Sequence, residues 1–475
     1  MDTTPGWWRS TALVDGRWIE CAHTSDVVNP ATGRIVGRAG VATTADADAA
    51  VAAARAAGRV WAARSAQERS TVLTQLADRL RDRRDDLVAA TVAEVGAPVT
   101  VAEESHIDLA IEIIDSFARI AADTPLRQRV GNTITVRRPA GVVACITPWN
   151  YPVYQLAAKV GAALAAGCTV VVKPAELTPL GTYLFCDAVL ETDLPAGAVN
   201  LLPGRGSVLG PALIEHPDVA VVSFTGSTTV GRQVGAQAGR LIKRACLELG
   251  GKSASVVLDD ADLRAAVTAT VSSAMLNSGQ TCSAWTRLLV PRARYTEAVE
   301  LAAACADTLV VGDPTSRGTD LGPLVSDTQL ASVRAMVDAA IARGARVAAG
   351  GTAPVPGLDG GFYHRPTVLA DLERGDPITR DEVFGPVLVV EPHDGDDDAV
   401  ALANATEYGL AGAVWSGDTD RAIDVALRMD TGQVDVNGAP FNPLAPFGGW
   451  KASGLGRELG SVGFDECIEW TAVQV

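Results

Sequence analysis

Two periodicities divide this chain. From Thr44 onward apolar positions recur at helical spacing, which predicts helices over 45–61 (with Thr44 as cap), 66–83, 85–95 and 102–121. Ahead of them, Leu13-Val14 and Arg17-Trp18-Ile19 flank Asp15-Gly16 as in a tight hairpin, and Asn29 to Gly33 carries a second turn signal. Residues 1–11 read as a loose leader. Further on the pattern changes. Thr133 to Arg138 alternates with period two, as a strand with one exposed face does. Short apolar runs then recur at 141–146, 168–172, 199–202, 219–224, 255–258 and 287–290, with a similar one at 410–415. Many are rich in β-branched residues, which suits strands buried on both faces of a parallel sheet. Helical patterns follow Tyr151-Pro152 and cover 261–276 and 328–343. Strand and helix in repeated alternation predict an α/β fold. Residues 350–361 read as a turn-rich surface insertion, 432–436 as a short strand, and 468–475 as a closing strand suited to pairing through an exposed edge.

A chain of 475 residues is too long for one ordinary core and calls for two or three domains. With no internal repeat or low-complexity linker, the pattern fits two α/β lobes joined near Gly250-Gly251, with an active site between them. Hydrophobic residues at 48% and charged residues at 20% describe a soluble, well-packed protein. A net charge of -16 without a basic block argues against a nucleic-acid partner. No apolar run is long enough to cross a membrane, and the segment from Met1 to Trp8 lacks the basic-then-apolar order of a secretory signal. The 8 cysteines are scattered singly and there are only 5 histidines, so no metal site is expected. Cysteines this sparse fit a reducing, cytoplasmic setting.

Two segments carry chemistry. Asn277-Ser278-Gly279-Gln280-Thr281-Cys282 lies between a helical pattern and the apolar run 287–290. A thiol there suits nucleophilic attack on a carbonyl, provided that nearby amide donors lower its pKa. The plain alternative is a buried, inert thiol. Leu247-Glu248-Leu249-Gly250-Gly251-Lys252 places a carboxyl inside an apolar run, where burial raises its pKa toward general-base work. The alternative is a carboxylate at a helix end before a turn.

Together these segments resemble the NAD(P)-dependent aldehyde dehydrogenase superfamily, with a glutamate in Leu-Glu-Leu-Gly-Gly-Lys and a nucleophile closing Asn-x-Gly-Gln-x-Cys. The likeness extends over nearly the whole chain. It implies an aldehyde-dehydrogenase-like α/β fold: a Rossmann-type cofactor domain (1–119 and 141–250), an α/β catalytic domain (251–449), and a small β oligomerisation arm with the C-terminal tail (120–140 and 450–475). It implies Cys282 as nucleophile, Glu248 as base, and Asn150 with the Cys282 backbone N–H as oxyanion donors. It also implies a cofactor site built from Thr147, Pro148, Trp149, Lys173, Glu176, Gly206, Gly226, Ser227, Gly231, Leu249, Gly250, Glu382 and Phe384. Lys173 and Glu176 would bracket the adenosine ribose diol. A carboxylate there repels a 2′-phosphate, so NAD is favoured with NADP as the alternative; otherwise Glu176 simply caps a helix beginning near Pro179. The Gly226-Ser227 loop before a helix suits a phosphate cradle, with Ser227 as hydroxyl donor, but its spacing is not GxGxxG.

The implied substrate pocket takes Tyr154, Gln155 and Ala158 from one helix, Thr281 and Ser283 beside the nucleophile, and Phe441 and Phe447 from a late proline-broken loop. No lysine or arginine occurs in 151–158 or 439–447, which disfavours a carboxylate-bearing semialdehyde and favours an apolar or aromatic small-molecule aldehyde. Betaine-aldehyde and CoA-acylating dehydrogenases are the rival enzymes, and a silent scaffold of the same fold is the rival from another class. Symmetric assembly is expected, with a homotetramer ahead of a dimer.

Overall fold

The structure, a computed structural model, describes residues 7–475. The N-terminal leader lies outside the described residues as far as residue 6. Beyond it the leader expectation fails, because Trp7 is buried with Val27, Ala90, Ala93 and Leu180 and gives the chain an apolar anchor.

An eight-stranded sheet runs in the order Gly454–Leu455, Arg244–Glu248, Val219–Thr225, Val142–Ile146, Thr169–Lys173, Val199–Leu201, Thr11–Val14, Arg17–Glu20. The five strands between Arg244–Glu248 and Val199–Leu201 are parallel. Four of them are apolar runs of the sequence, Arg244–Glu248 being the exception, and alternate residues serve opposite faces. Val143 and Cys145 pack with helices Ala66–Asp82, Leu109–Asp123 and Pro152–Ala166. Val142, Ala144 and Ile146 pack against the other face with Leu209, Leu213 and Val234. Helices on both faces explain why the strands read as uninterrupted apolar runs. The predicted hairpin forms the sheet's outer edge, with Asp15 and Gly16 both at positive φ (52° and 72°) as its turn requires.

A seven-stranded sheet takes the order Arg346–Ala349, Thr367–Ala370, Val387–His393, Arg287–Pro291, Ala254–Val257, Gly412–Trp415, Asp435–Val436. The chain passes from one sheet to the other across Leu249 to Ser253. A three-stranded sheet joins Arg127–Val130, Thr133–Pro139 and Ile468–Gln474. The closing strand therefore pairs within the chain, antiparallel to Thr133–Pro139.

Several boundaries differ from expectation for local reasons. Thr43, not Thr44, caps the first helix, because only Thr43 has an aspartate (Asp46) at the third helical position to complete a capping box. The helix predicted over 102–121 opens with a π-helical turn, Ala102–Asp108. Gly206 starts helix Gly206–Glu215. Glu176 does not cap the helix near Pro179. The buried Glu94 carboxylate does, accepting from the Leu180 and Gly181 N–H groups at 2.6 and 2.9 Å.

Candidate active site

In the eight-stranded sheet the chain proceeds from Val142–Ile146 outward through Thr169–Lys173 and Val199–Leu201, then returns to place Val219–Thr225 on the opposite side. Reversal of strand order leaves a crevice at the strands' carboxyl ends. A cavity of about 890 Å³ opens there. It is lined by Thr147, Pro148, Trp149 and Asn150 after one strand, Lys173 and Glu176 after the next, Gly226 and Ser227 after a third, and Leu249 and Gly250 after a fourth. Gly206, Cys282, Glu382 and Phe384 complete the wall. Twelve of the thirteen expected cofactor residues thus meet in one space. The exception is Gly231. A Cβ there would lie 2.2 Å from Leu249 Cδ2, so this glycine leaves room for the cavity-lining leucine.

The polar groups of the cavity are already organised. Glu176 Oε1 accepts the Gly206 N–H at 2.7 Å, at the N-terminus of helix Gly206–Glu215. Burial lowers Lys173 to about 8, opposed by the charge of Glu176. Glu382 accepts the Gly251 N–H at 2.9 Å, and burial raises it to about 7 against that hydrogen bond and the charge of Lys252. The Ser227 hydroxyl accepts the Val230 N–H at 3.4 Å, so it caps its helix while facing the cavity. Phe384 has φ 55°, stands edge-on to Trp149 at 5.2 Å, and is held by Gln329 Nε2 donating to its carbonyl at 2.8 Å. The Thr147 hydroxyl is buried with no protein partner. A dinucleotide fits this chemistry: a lysine–glutamate pair for a diol, helix N-termini for phosphates, and a second carboxylate, Glu382, for another ribose.

Cys282 follows a tightly wound segment. Asn277, Ser278 and Gly279 have φ of 52°, 56° and 73°, three successive left-handed residues. A Cβ at Gly279 would lie 2.1 Å from the Gly385 carbonyl oxygen, so the third position requires glycine. The segment is tied at many points. Asn277 Nδ2 donates to the Asn150 carbonyl at 3.1 Å, and Asn150 Nδ2 donates to the Gln280 carbonyl at 2.9 Å. The Val325 N–H donates to Gln280 Oε1 at 2.9 Å, and Ser278 Oγ donates to the Gly322 carbonyl at 2.9 Å. One amide hydrogen of Asn150 is thereby spent on the nucleophile's own loop, and the other is left for a ligand. The expected lowering of the thiol pKa is not found. Burial, then the charges of Glu248 and Glu382, push Cys282 up, and the Ser283 and Cys282 N–H groups oppose this only in part. A half-buried thiol under the influence of two carboxyl charges stays protonated until a base takes its proton.

Glu248 ends strand Arg244–Glu248, so it is not a helix-end carboxylate. It is 2% exposed, and neither carboxyl oxygen has a hydrogen-bond partner among the described residues. A Cβ at Gly448 would come within 2.5 Å of Glu248 Oε1, so the late loop closes over it. Burial, then the charge of Glu458, push it well above the usual carboxylate range, against Lys159 and Arg457.

The expected substrate residues are not part of the cavity wall. Tyr154, Ala158 and Phe447 belong to one buried apolar cluster, and Cys282 packs against it. Phe441, 37% exposed, stands edge-on to Phe447 at 6.1 Å. Thr281 and Ser283 flank the nucleophile, and Thr281 Oγ1 is 2.7 Å from Tyr151 Oη. Gln155 turns elsewhere: its Oε1 accepts from Thr225 Oγ1 at 3.3 Å, because Thr225 offers a buried hydroxyl on the facing strand.

Sequence reasoning missed the pair Lys159–Glu458. Lys159 Nζ donates to Glu458 and, at 2.7 Å, to Thr225 Oγ1. Burial opposes the lysine's charge, but Glu458's charge and hydrogen bond outweigh it and hold Lys159 above its ordinary value. A lone lysine on an otherwise apolar helix signals that a buried partner must exist. Nothing local identifies that partner 299 residues away.

A model of the aldehyde dehydrogenase family matches residues 18–473. The chain is 42% identical over 463 residues to a 3-succinoylsemialdehyde-pyridine dehydrogenase of Pseudomonas sp, covering 97% of each chain. It is 40% identical over 458 residues to a geranial dehydrogenase of Castellaniella defragrans, covering 94% of this chain and 95% of the relative. Among solved structures it superposes with a TM-score of 0.97 on aldehyde dehydrogenase C of Pseudomonas syringae, crystallised with NAD+ and octanal, at 42% identity and covering 99% and 97% of the two chains. The chain belongs to the aldehyde dehydrogenase family.

Proposed function

We propose that this protein oxidises an apolar or aromatic aldehyde to the carboxylic acid, with NAD as hydride acceptor, Cys282 as nucleophile and Glu248 as base. The observation that carries the reading is the meeting of Cys282 and Asn150 with Lys173, Glu176 and Glu382 around one cavity, with the buried Glu248 influencing the thiol. Glu248 takes the thiol proton, and sulfur bonds to the carbonyl carbon. The free amide hydrogen of Asn150 and the Cys282 N–H receive the oxyanion as it forms, a contribution absent from the ground state. When bound, NAD+ supplies the acceptor for the hydride that the carbon loses, leaving a thioester on Cys282. Glu248 releases that proton to solvent and then takes one from water; the water oxygen bonds to the acyl carbon, the C–S bond breaks, the sulfur takes the proton back from Glu248, and the acid leaves.

Several observations favour an apolar substrate. The surface beside the nucleophile is Tyr151, Tyr154 and Phe447, part of an apolar cluster. A pyridine-bearing semialdehyde and geranial appear in relatives' names, and octanal is bound in the solved structure. Glu176 facing the Gly206 N–H favours NAD over NADP. The presence of Glu248 favours water over CoA as acyl acceptor. The cofactor segments 1–119 and 141–250, the catalytic segment 251–449, and the arm and tail (120–140, 450–475) are proposed as the functional units. A homotetramer is proposed on the two free edges of the three-stranded sheet, where Val130, Trp470 and Val473 are exposed.

The test is NADH formation from benzaldehyde, medium-chain aldehydes, betaine aldehyde and succinic semialdehyde, with NADP in parallel and CoA added or omitted. CoA-independent NADH formation on apolar aldehydes, abolished in Cys282→Ala, is the expected result. Reduction only with succinic semialdehyde or betaine aldehyde would overturn the substrate class, and strict CoA dependence would overturn hydrolysis.

A further inference from the structure

His106 takes no part in the scheme above. It lies in the π-helical turn Ala102–Asp108, far in sequence from every catalytic motif. Its side chain is fully buried, and neither ring nitrogen has a hydrogen-bond partner among the described residues. A buried imidazole with both nitrogens unsatisfied is costly and calls for an explanation. The π-turn is a second unusual feature at the same place; such turns cost regular hydrogen bonding and concentrate at functional sites.

Two contacts explain the position. The ring stacks on Tyr151 at 4.2 Å with an interplanar angle of 25°. Tyr151 follows Asn150, and its Oη is 2.7 Å from Thr281 Oγ1, beside Cys282. On its other side the ring faces the Asn277 side chain. Because Asn277 Nδ2 is committed to the Asn150 carbonyl, its Oδ1 is the group left over, buried and without a hydrogen-bond partner among the described residues. A neutral imidazole N–H is the donor that this oxygen lacks, and burial keeps the ring neutral, at about 3.

We infer that His106 is a positioning residue: its N–H latches Asn277, the first of the three left-handed residues, and its ring braces Tyr151 against Thr281, so that nucleophile and oxyanion donor are held in mutual register. A left-handed non-glycine residue is strained, at about 1–2 kcal/mol. Asn277 and Ser278 persist in that state only while their surroundings over-determine it. His106 touches both sides of the arrangement, the Asn150-Tyr151 turn and the 277–281 loop.

The inference rests on Cys282 being the nucleophile, and the experiment separates the two. Three variants are compared: His106→Gln, which keeps a neutral N–H donor without the ring; His106→Phe, which keeps the ring's shape without the donor; and Asn277→Ala, which removes the acceptor together with the Nδ2 donor to the Asn150 carbonyl. Each is measured for kcat and aldehyde KM, for NAD affinity by protein fluorescence, and for the rate of Cys282 alkylation by iodoacetamide read by mass spectrometry. The alkylation needs neither substrate nor cofactor. The latch predicts that His106→Phe and Asn277→Ala lower kcat on the order of 10- to 100-fold with aldehyde KM and NAD affinity little changed, as displacements of about 1 Å do. It predicts that alkylation changes in parallel, and that His106→Gln stays within a few-fold of the parent. A packing role predicts the reverse order, with the phenylalanine benign and the glutamine damaging. That order, or equal effects of the two, overturns the inference. If His106→Phe does not fold, Asn277→Ala decides: unchanged kcat and alkylation overturn the latch. Normal alkylation differences without turnover on any aldehyde would instead count against the proposed reaction.

Discussion

Replacing Glu458 with glutamine removes one half of an ion pair whose other half has no exposed side-chain surface. Lys159 would still have Thr225 Oγ1 and the glutamine carbonyl to donate to, but it would lose its counter-charge. Breaking a buried pair by removing one charge costs about 3–5 kcal/mol, because the remaining ion has lost its counter-charge in a dry environment. Replacing both with neutral groups avoids that penalty. The expected result is therefore non-additive: Glu458→Gln and Lys159→Met each lower the chemical unfolding midpoint strongly, and the double variant recovers most of the loss. The chemistry gives a second reading. The charge of Glu458 raises Glu248 and that of Lys159 lowers it. Glu458→Gln removes the raising influence and leaves the lowering one, so Glu248 ionises at lower pH. As Glu248 must be ionised to activate water, the acid limb of the kcat–pH profile moves to lower pH, by about 1–3 units if Lys159 stays charged. The assay is that profile for parent, single and double variants, beside urea unfolding. Additive stability losses, or an acid limb displaced to higher pH, would refute the assignment of a coupled buried triad.

Three further expectations concern the same cavity. Glu248→Gln lowers turnover by about 10²–10⁴-fold and slows Cys282 alkylation at neutral pH, because it removes the base that takes the thiol proton; alkylation faster than in the parent would show that the charge of Glu248 raises the thiol pKa more than its basicity helps. Glu176→Gln keeps an acceptor for the Gly206 N–H but removes a negative charge, so steady-state kinetics show KM for NADP falling by about tenfold, near 1.4 kcal/mol, with KM for NAD changed less; an equal shift for both cofactors would contradict the charge argument. Gly231→Ala places a methyl 2.2 Å from Leu249 Cδ2, which costs about 1–3 kcal/mol of overpacking and raises KM for NAD by displacing a cavity-lining side chain; an unchanged melting temperature and KM would mean that the leucine swings aside freely.

Much of the architecture was legible because it follows from short-range rules. A run such as Val142 to Ile146 has no polar face to expose, so it must be covered on both sides, and helices on both sides of a parallel sheet are the solution the chain adopts. The Asp15-Gly16 turn, the buried carboxyl of Glu248 and the placement of Cys282 between a helix and a strand were likewise written into local residue types. The cofactor-lining residues were legible in a different way, through motifs at strand ends, where the topology of an α/β sheet collects its ligands. Tertiary structure decided whatever depends on a distant partner. The sign of the Cys282 shift is set by burial and two carboxyls, not by the amides beside it. Gln155 turns to Thr225, Gly231 serves Leu249, Lys159 finds Glu458, and Glu94 takes the capping role open to Glu176. In each case the sequence specifies the chemical group, but its partner, and hence its energy, is set by the three-dimensional packing of segments that local patterns cannot connect.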